Sequence, residues 1–158
     1  MAAATYALRI EQGATWRLKF TWCRAGAVNP DGTIAAGDPI DLTGCTARMQ
    51  IRKSLRQPVL AFITTPVTAI ATDAVTGVET TTETPNGITL GGVDGTIVLE
   101  LSADKTALLN ITAGVYDLEI VFPSGDVYRV LEGTVTVDPN VTRPDLDGTG
   151  TATVGVVA

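Results

Sequence analysis

The sequence predicts an all-β protein folded as an antiparallel β-sandwich, for three reasons. The chain of 158 residues contains 25 Thr and many Val residues, and β-branched side chains favour strands. Several segments alternate apolar and polar residues with a period of two, the pattern of a half-buried strand. Between these segments, 16 Gly and 8 Pro residues supply turns.

The first 64 residues contain four predicted strands. Residues 5–10 form a short strand that ends at a Gln12-Gly13 turn. The next strand alternates most cleanly, and one of its faces carries Ala14, Trp16, Leu18, Phe20 and Trp22. Asn29-Pro-Asp-Gly32 and Gly37-Asp-Pro39 mark a loop. A third strand points Ala47, Met49 and Ile51 inward, and a fourth covers residues 59–64.

The remaining chain supplies an excursion, a helix and three more strands. Residues 65–94 have weak periodicity and form a long excursion, for which an extended hairpin turning at Thr76-Gly77 is one interpretation. A strand at 96–101 leads into a short helical crossover with Ser102 as N-cap. About seven strands separated by turns indicate an immunoglobulin-like architecture, although the Cys…Trp…Cys pattern of antibody domains is absent.

The sequence divides into two parts. Residues 1–143 form the predicted β-sandwich domain, and residues 144–158 form an extended C-terminal arm, which is rich in Pro and Gly and ends in small β-prone residues.

The last two strands form a hairpin over residues 114–137. Pro123-Ser-Gly125 fits a three-residue loop with Gly125 in the left-handed conformation. That register places Tyr128 opposite Ile120, both inward, and Arg129 opposite Glu119 as an exposed ion pair.

The second strand of this hairpin changes phase. Tyr128 and Val130 share one parity, while Val135 and Val137, which are also expected inward, have the other. One explanation is a one-residue β-bulge near Leu131-Glu132-Gly133, with Gly133 relieving the strain. The other is a strand covered on both faces, with Leu131 buried against another subunit.

Charge is unevenly distributed along the chain. The net charge is −6, but residues 1–60 carry +4 and residues 61–158 carry −10. An acidic chain argues against nucleic acid as a partner. The asymmetry could orient copies head to tail, or it could be ordinary solvated surface. If their strands share a sheet, a basic outer face forms from Arg17, Lys19, Arg48, Gln50 and Arg52, extended by Lys53 and Arg56.

The residues offer little basis for catalysis, so we expect no enzyme, cofactor or metal. The chain has no His, the most frequent general base. Asp117 and Glu119 share a strand face, but beside Arg129 they read as solvated sheet surface. Three motifs have non-catalytic explanations. Ser102-Ala-Asp-Lys105 is explained by a helix N-cap, and Gly91-Gly-Val-Asp-Gly95 by a turn. Asp145-Leu-Asp147-Gly148 is a weak and incomplete match to a calcium loop.

Cysteine content and hydropathy point to a cytoplasmic site of synthesis. Cys23 and Cys45 are expected to be two half-buried thiols, although a disulfide between them is an alternative. No apolar run reaches the roughly 18 residues of a membrane span, so no membrane partner is expected. The first residues lack the pattern of a signal peptide.

Three segments together carry a resemblance: Ile10-Glu-Gln-Gly-Ala-Thr-Trp-Arg-Leu, Ile40-Asp-Leu-Thr-Gly-Cys-Thr-Ala-Arg-Met-Gln-Ile-Arg, and Tyr116-Asp-Leu-Glu-Ile with Pro-Ser-Gly-Asp-Val-Tyr-Arg-Val-Leu-Glu-Gly-Thr-Val-Thr-Val. In order and spacing they resemble structural proteins of tailed bacteriophages and prophages, and are similar to the immunoglobulin-like N-terminal domain of phage baseplate upper proteins. The likeness spans residues 5–143, apart from the excursion at 65–94.

The resemblance implies a non-enzymatic virion component of the tail, neck or baseplate, present in multiple copies and made in the bacterial host cytoplasm. Its partners would be other copies of itself and other phage structural proteins. The alternative is a capsid-decorating or receptor- or glycan-binding β-sandwich. We expect residues 152–157 of the arm to add to a neighbour's sheet edge. The expected interface residues come from the basic face, from the hairpin and from the arm: Arg17, Lys19, Arg48, Arg52, Leu131, Val154, Val156 and Val157.

Overall fold

The computed structural model describes residues 2–65, 67–72, 74–84 and 87–140. One short helix, α1 (Ala103–Ala107), and a 3-10 turn at Gly92–Asp94 interrupt a chain otherwise built of strands. In chain order the strands are β1 (Ala4–Thr5), β2 (Leu8–Glu11), β3 (Trp16–Thr21), β4 (Cys23–Val28), β5 (Ile34–Pro39), β6 (Thr46–Arg52), β7 (Val59–Thr64), β8 (Val67–Thr72), β9 (Glu79–Thr84), β10 (Ile88–Leu90), β11 (Thr96–Leu101), β12 (Ala113–Val121) and β13 (Val127–Asp138).

Two sheets face each other across the core. The larger has the order β1-β13-β12-β6-β7, with β2 also pairing β13, and the smaller has the order β10-β11-β3. This arrangement is that of an immunoglobulin-like sandwich, in which a D-E-B sheet packs on a G-F-C-C′ sheet. The predicted fold class is therefore confirmed.

The first predicted strand is divided in two. Both β1 and β2 run parallel to β13, with Ala4 opposite Leu131 and Leu8 opposite Val135. The two strands pair with β13 in the same register. Between them, the Tyr6 N–H donates to the Glu132 carbonyl over 2.9 Å. The N-terminal chain is thus tied to the last strand rather than to its neighbour in sequence.

A single core lies between the sheets, and the alternating residues predicted to point inward supply most of it. Met49 and Ile51 from β6 belong to the same buried cluster as Ile97 and Leu99 from β11, and all four have exposed fractions of 0%. The strand β11 has the bounds that the sequence predicts. Burial of such side chains contributes about 1.5–3 kcal/mol each to folding.

The crossover helix α1 is held by Thr106 rather than by its N-cap. Ser102 occupies the N-cap position, but its side chain makes no capping hydrogen bond. The fully buried Thr106 hydroxyl instead donates to the Ala14 carbonyl over 2.8 Å and accepts from the Gly13 N–H over 3.1 Å. These bonds fix the helix against the turn that precedes β3.

The loop predicted around residues 29–39 is confirmed only in its first part, because its second part is a strand of the hairpin β4–β5. Only Asn29-Pro-Asp-Gly32 is a turn, while Gly37-Asp-Pro39 belongs to β5. The glycines of this hairpin mark a close approach of backbones: a Cβ on Gly26 would lie 2.6 Å from the Ala35 carbonyl oxygen. The hairpin forms a two-stranded sheet of its own.

The excursion contains a second such hairpin. Strands β8 and β9 pair antiparallel over six residues, from Val67 opposite Thr84 to Thr72 opposite Glu79. Gly77, with a φ of 68°, lies in the connecting turn, so the hairpin interpretation of this segment is confirmed.

The β12–β13 hairpin has the predicted register at its turn. Tyr128 lies opposite Ile120 and Arg129 opposite Glu119. Gly125 has a φ of 93°, and its N–H donates to the Phe122 carbonyl over 2.9 Å.

The phase change is a β-bulge, as the first explanation predicts, although it lies slightly earlier. Leu118 pairs with Leu131 and Glu119 with Arg129, so Val130 is the extra residue. Val130 and Leu131 are both buried within one chain, each 7% exposed. Gly133 has a φ of 159°, a backbone conformation that residues with a side chain rarely adopt. A Cβ there would also overlap the Tyr6 carbonyl oxygen, so this glycine makes room for the N-terminal chain as well.

Candidate interaction surfaces

The predicted basic face does not form, because its two strands lie in different sheets. Arg17 and Lys19 lie on β3 of the smaller sheet, whereas Arg48 and Arg52 lie on β6 of the larger one. Their outward side chains therefore point to opposite sides of the sandwich.

Two of these four basic residues, Arg17 and Arg48, form an ion pair with a carboxylate on the adjacent strand. Arg17 lies opposite Glu100 on β11 and forms an ion pair with it. Arg48 lies opposite Glu119 on β12, with 2.7 Å between Nε and Oε2. Exposed pairs of this kind contribute about 0.2–1 kcal/mol each, so they favour strand register more than stability.

The predicted Glu119–Arg129 ion pair is wrong, even though the two residues are cross-strand neighbours. Arg48 takes Glu119, and the Arg129 guanidinium contacts Asp117 at 3.4 Å and Glu132 at 3.1 Å. The Asp117 and Glu119 carboxylates are thus members of an outer-face ion-pair network, each neutralised by a different arginine.

The other expected interface residues are placed as follows. Arg52 donates to the Gln57 carbonyl over 2.9 Å and to Gln50 Oε1 over 2.8 Å. Leu131 packs in the core of its own chain. Val154, Val156 and Val157 lie outside the described residues.

The two cysteines are free, half-buried thiols, as expected. Burial, followed by the nearby charge of Asp41, raises the pKa of Cys45. Both effects disfavour the thiolate, which is the reactive form of cysteine.

Two other expectations concern ligand binding. Gly91–Gly95 is a 3-10 turn leading into β11, as predicted. Within the described residues, no group of three or more His, Cys, Asp or Glu side chains is arranged to hold a metal. Asp145 and Asp147 lie outside those residues.

The hairpin β4–β5 presents apolar side chains to solvent. Val28 is 71% exposed and Ile34 is 62% exposed, and they lie opposite each other near the turn. Neither strand has a buried residue. The alternation rule could not find this surface, since these strands do not alternate.

An aromatic cluster lies near the β12–β13 turn. The rings of Trp22, Phe122 and Tyr128 have centroids 5.5–6.2 Å apart. Tyr128, expected inward, is 40% exposed, and it lies one residue from the start of β13, next to the turn.

Within the described residues, one side of the sandwich has no strand covering its edge. Strand β3 forms one border of the smaller sheet, and its inward residues are only half-buried, in contrast to those of β11. A groove of about 520 Å³ continues this opening between β3–β5 and the start of β13, lined among others by Phe20, Trp22, Ile34 and Leu131. Sequence alternation reports which face of a strand is buried, and gives no signal for an open edge.

Comparison with known proteins adds little about function. No protein-family model matches the chain, and no curated protein matches it. Among solved structures, the extracellular domain of the voltage-gated sodium channel beta4 subunit is 11% identical, with 92% of this chain and 93% of that chain covered and a TM-score of 0.30. No helix among the described residues is long and apolar enough to cross a membrane. Strand order and core composition make the chain an immunoglobulin-like β-sandwich.

Proposed function

We propose that this protein is a non-enzymatic structural component of a tailed-phage virion, in the tail, neck or baseplate. It acts through contacts between multiple copies of itself and with other structural proteins of the particle. The three-segment resemblance supports this proposal, and its residues occupy the turn before β3, strand β6 and the β12–β13 hairpin of the sandwich.

The observation that carries the proposal is the hairpin β4–β5. Two-stranded sheets are marginally stable alone in water, and this one exposes Val28 and Ile34 without burying either face. An exposed apolar surface of this kind is typical of a segment that contacts a neighbouring protein.

The alternative of a capsid-decorating or glycan-binding module has one observation in its favour. Tyr128 exposes part of its ring beside Trp22 and Phe122, and aromatic rings with an apolar body and a polar tip suit binding interfaces. Trp22 and Phe122 of this cluster are themselves half-buried, whereas Val28 and Ile34 are mostly exposed, so we give the assembly function precedence.

The test uses tailed particles produced by a host carrying the gene. The full-length protein should be present in purified particles in several copies per particle, as measured by quantitative mass spectrometry. A chain ending at residue 143 should be depleted from the particles by about tenfold, equivalent to about 1.4 kcal/mol of lost contact energy.

A matched control separates the arm from the general proposal. Replacing Val154, Val156 and Val157 by Ser keeps the length of the arm but removes its apolar side chains, and should reproduce the depletion. Absence of the full-length protein from purified particles would refute the virion function. Normal incorporation of the truncated chain would refute only the role of the arm.

A further inference from the structure

The smaller sheet lacks a strand that its architecture accommodates. In immunoglobulin-like sandwiches the three-stranded D-E-B sheet is extended by an A strand beside B. Here β3 is in the B position, and both N-terminal strands pair with β13 in the other sheet instead. Among the described residues, no strand pairs with the outer edge of β3.

The backbone of β3 is oriented to accept a partner at this edge. Thr96 and Glu100 of β11 direct their backbone groups to the opposite side, since the Thr96 carbonyl accepts from Gly91 and the Glu100 N–H donates to Gly87. The alternate residues Ile97 and Leu99 therefore direct their backbone groups toward β3, where Ile97 pairs with Phe20. By the alternation of antiparallel ladders, the backbone N–H and C=O groups that point to the open edge are those of Arg17, Lys19 and Thr21.

An added strand would also complete the core. Trp16, Leu18, Phe20 and Trp22 pack against the core but remain half-buried. The groove of about 520 Å³ lies at the end of this row. A strand beside β3 would cover both.

The other edges are less suited to receive a strand. On the opposite side of the sandwich, a bridge between Thr64 and Gly87 links the end of β7 to the start of β10. The edge formed by β1 and β2 is interrupted at Tyr6 and Ala7. The edge of β3 is continuous over the six residues Trp16–Thr21.

The C-terminal arm, residues 144–158, has the chemistry of the missing strand. Its final part reads Thr-Ala-Thr-Val-Gly-Val-Val, small and β-branched residues that are long enough to cover β3.

The position of Asn140 favours an arm from another copy. Its N–H donates to Gln12 over 3.2 Å, so the described chain ends beside the turn that begins β3. An arm from the same chain that continued directly from this point along β3 would run parallel to it. The arm of another molecule can run antiparallel, as β11 does, which is the more stable pairing.

We propose that the open edge of β3 receives the C-terminal arm of a second copy as an added antiparallel strand. This inference rests on the multi-copy assembly proposed above and names its contact. Because it is tested with purified protein in solution, it can fail while the virion function holds.

The first test compares two substitutions at one position of the full-length chain. Lys19→Pro removes an N–H that points to the open edge and leaves the bonds to β11 in place. Lys19→Thr removes the same charge but keeps the N–H. In sedimentation velocity over a range of protein concentrations, the natural chain should self-associate, Lys19→Thr should associate similarly, and Lys19→Pro should associate at least about tenfold more weakly, as expected for one or two lost hydrogen bonds.

Equal association of the natural chain and Lys19→Pro would overturn the proposal. So would a natural chain that stays monomeric at all concentrations, because Lys19 would then be a charge that protects the edge from pairing. Circular dichroism checks that Lys19→Pro is folded.

A cross-linking test does not depend on the proline variant and distinguishes arms of the same chain from arms of another. In a background with Cys23→Ser and Cys45→Ser, one chain carries Thr21→Cys and another carries Thr153→Cys. Mixed and oxidised, they should form a disulfide-linked heterodimer. Failure to form this heterodimer would overturn the proposal. The proposal would also be overturned if a chain carrying both cysteines closes on itself at high dilution and stays monomeric when concentrated.

Discussion

At the scale of single residues, the backbone of Tyr6 is the point where the N-terminal chain is held. The Tyr116 hydroxyl donates to the Tyr6 carbonyl over 2.8 Å, and Tyr6 N–H donates to Glu132 over 2.9 Å. Gly133 lies against the same carbonyl. Two side-chain choices, a tyrosine and a glycine on adjacent strands, therefore decide whether β1 and β2 can dock on β13.

Gly133→Ala should destabilise the fold by about 1–3 kcal/mol, because the added methyl group must displace the Tyr6 backbone. Urea unfolding gives the free energy. The control is Thr134→Ala, an exposed position on the same strand, for which the change should stay within about 0.5 kcal/mol. Equal effects of the two substitutions would contradict the close approach.

Tyr116→Phe should cost about 0.5–1.5 kcal/mol at neutral pH, since it removes the hydroxyl that donates to the partly buried Tyr6 carbonyl. Chemical denaturation of the two proteins measures this. The variant should also change the alkaline stability, which provides an independent check.

Burial raises the pKa of Tyr116 to about 12, whereas an unfolded tyrosine titrates near pH 10, about its unperturbed value. The folded state thus keeps a proton that the unfolded state loses. This contribution to stability is full below about pH 10 and falls by up to about 1.4 kcal/mol per pH unit until about pH 12. Tyr116→Phe should show a shallower loss over that window, and parallel profiles would contradict the assignment.

At the scale of elements, the sequence predicts best where a strand has one buried face. Residues 96–101 were predicted as a strand and form β11, because Ile97, Leu99 and Leu101 repeat every second position and all reach the core. The sequence predicts Gly37-Asp-Pro39 as part of a loop, but these residues lie in β5. The difference arises because the hairpin β4–β5 buries neither face and so has no alternation to detect. Its strands are held by backbone pairing and by close approach at Gly26 and Gly37.

Introducing charged residues into this hairpin should weaken association without unfolding the protein. The double substitution Val28→Asp and Ile34→Asp should change the free energy of unfolding by less than about 1 kcal/mol, because both side chains are exposed. It should weaken self-association or incorporation into particles, since apolar contact area is lost. The control Val135→Asp, at a fully buried position, should prevent folding. Unchanged association of the double variant would remove the hairpin from the interface.

At the scale of the whole molecule, folding cancels much of the charge asymmetry of the chain. Basic residues of the first 60 positions lie beside acidic residues of the last 98, because the topology pairs strands from the two ends. Arg9 meets Asp138, Arg17 meets Glu100 and Arg48 meets Glu119. Basic and acidic residues from the two parts of the chain thus pair at least partly within one molecule. This pairing weakens the case for head-to-tail orientation of copies by charge.

The sequence alone determined the β-sandwich class, the inward faces of β3, β6 and β11, and the Gly125 turn. Each of these depends on local properties: the period-two pattern, and the freedom of glycine to adopt positive φ. The sequence also located the phase change of β13 to within one or two residues, since two inward patterns of opposite parity require an extra residue between them.

Only the tertiary structure decided which strands are neighbours. The choice of neighbours separates Arg17 from Arg48 and gives Asp117 and Glu119 different arginine partners. It also places Gly133 against Tyr6 and, among the described residues, leaves the edge of β3 without a partner strand. The physical reason is that alternation records which side of a strand is buried, whereas strand pairing is formed by backbone groups that every residue carries, between segments far apart in the chain.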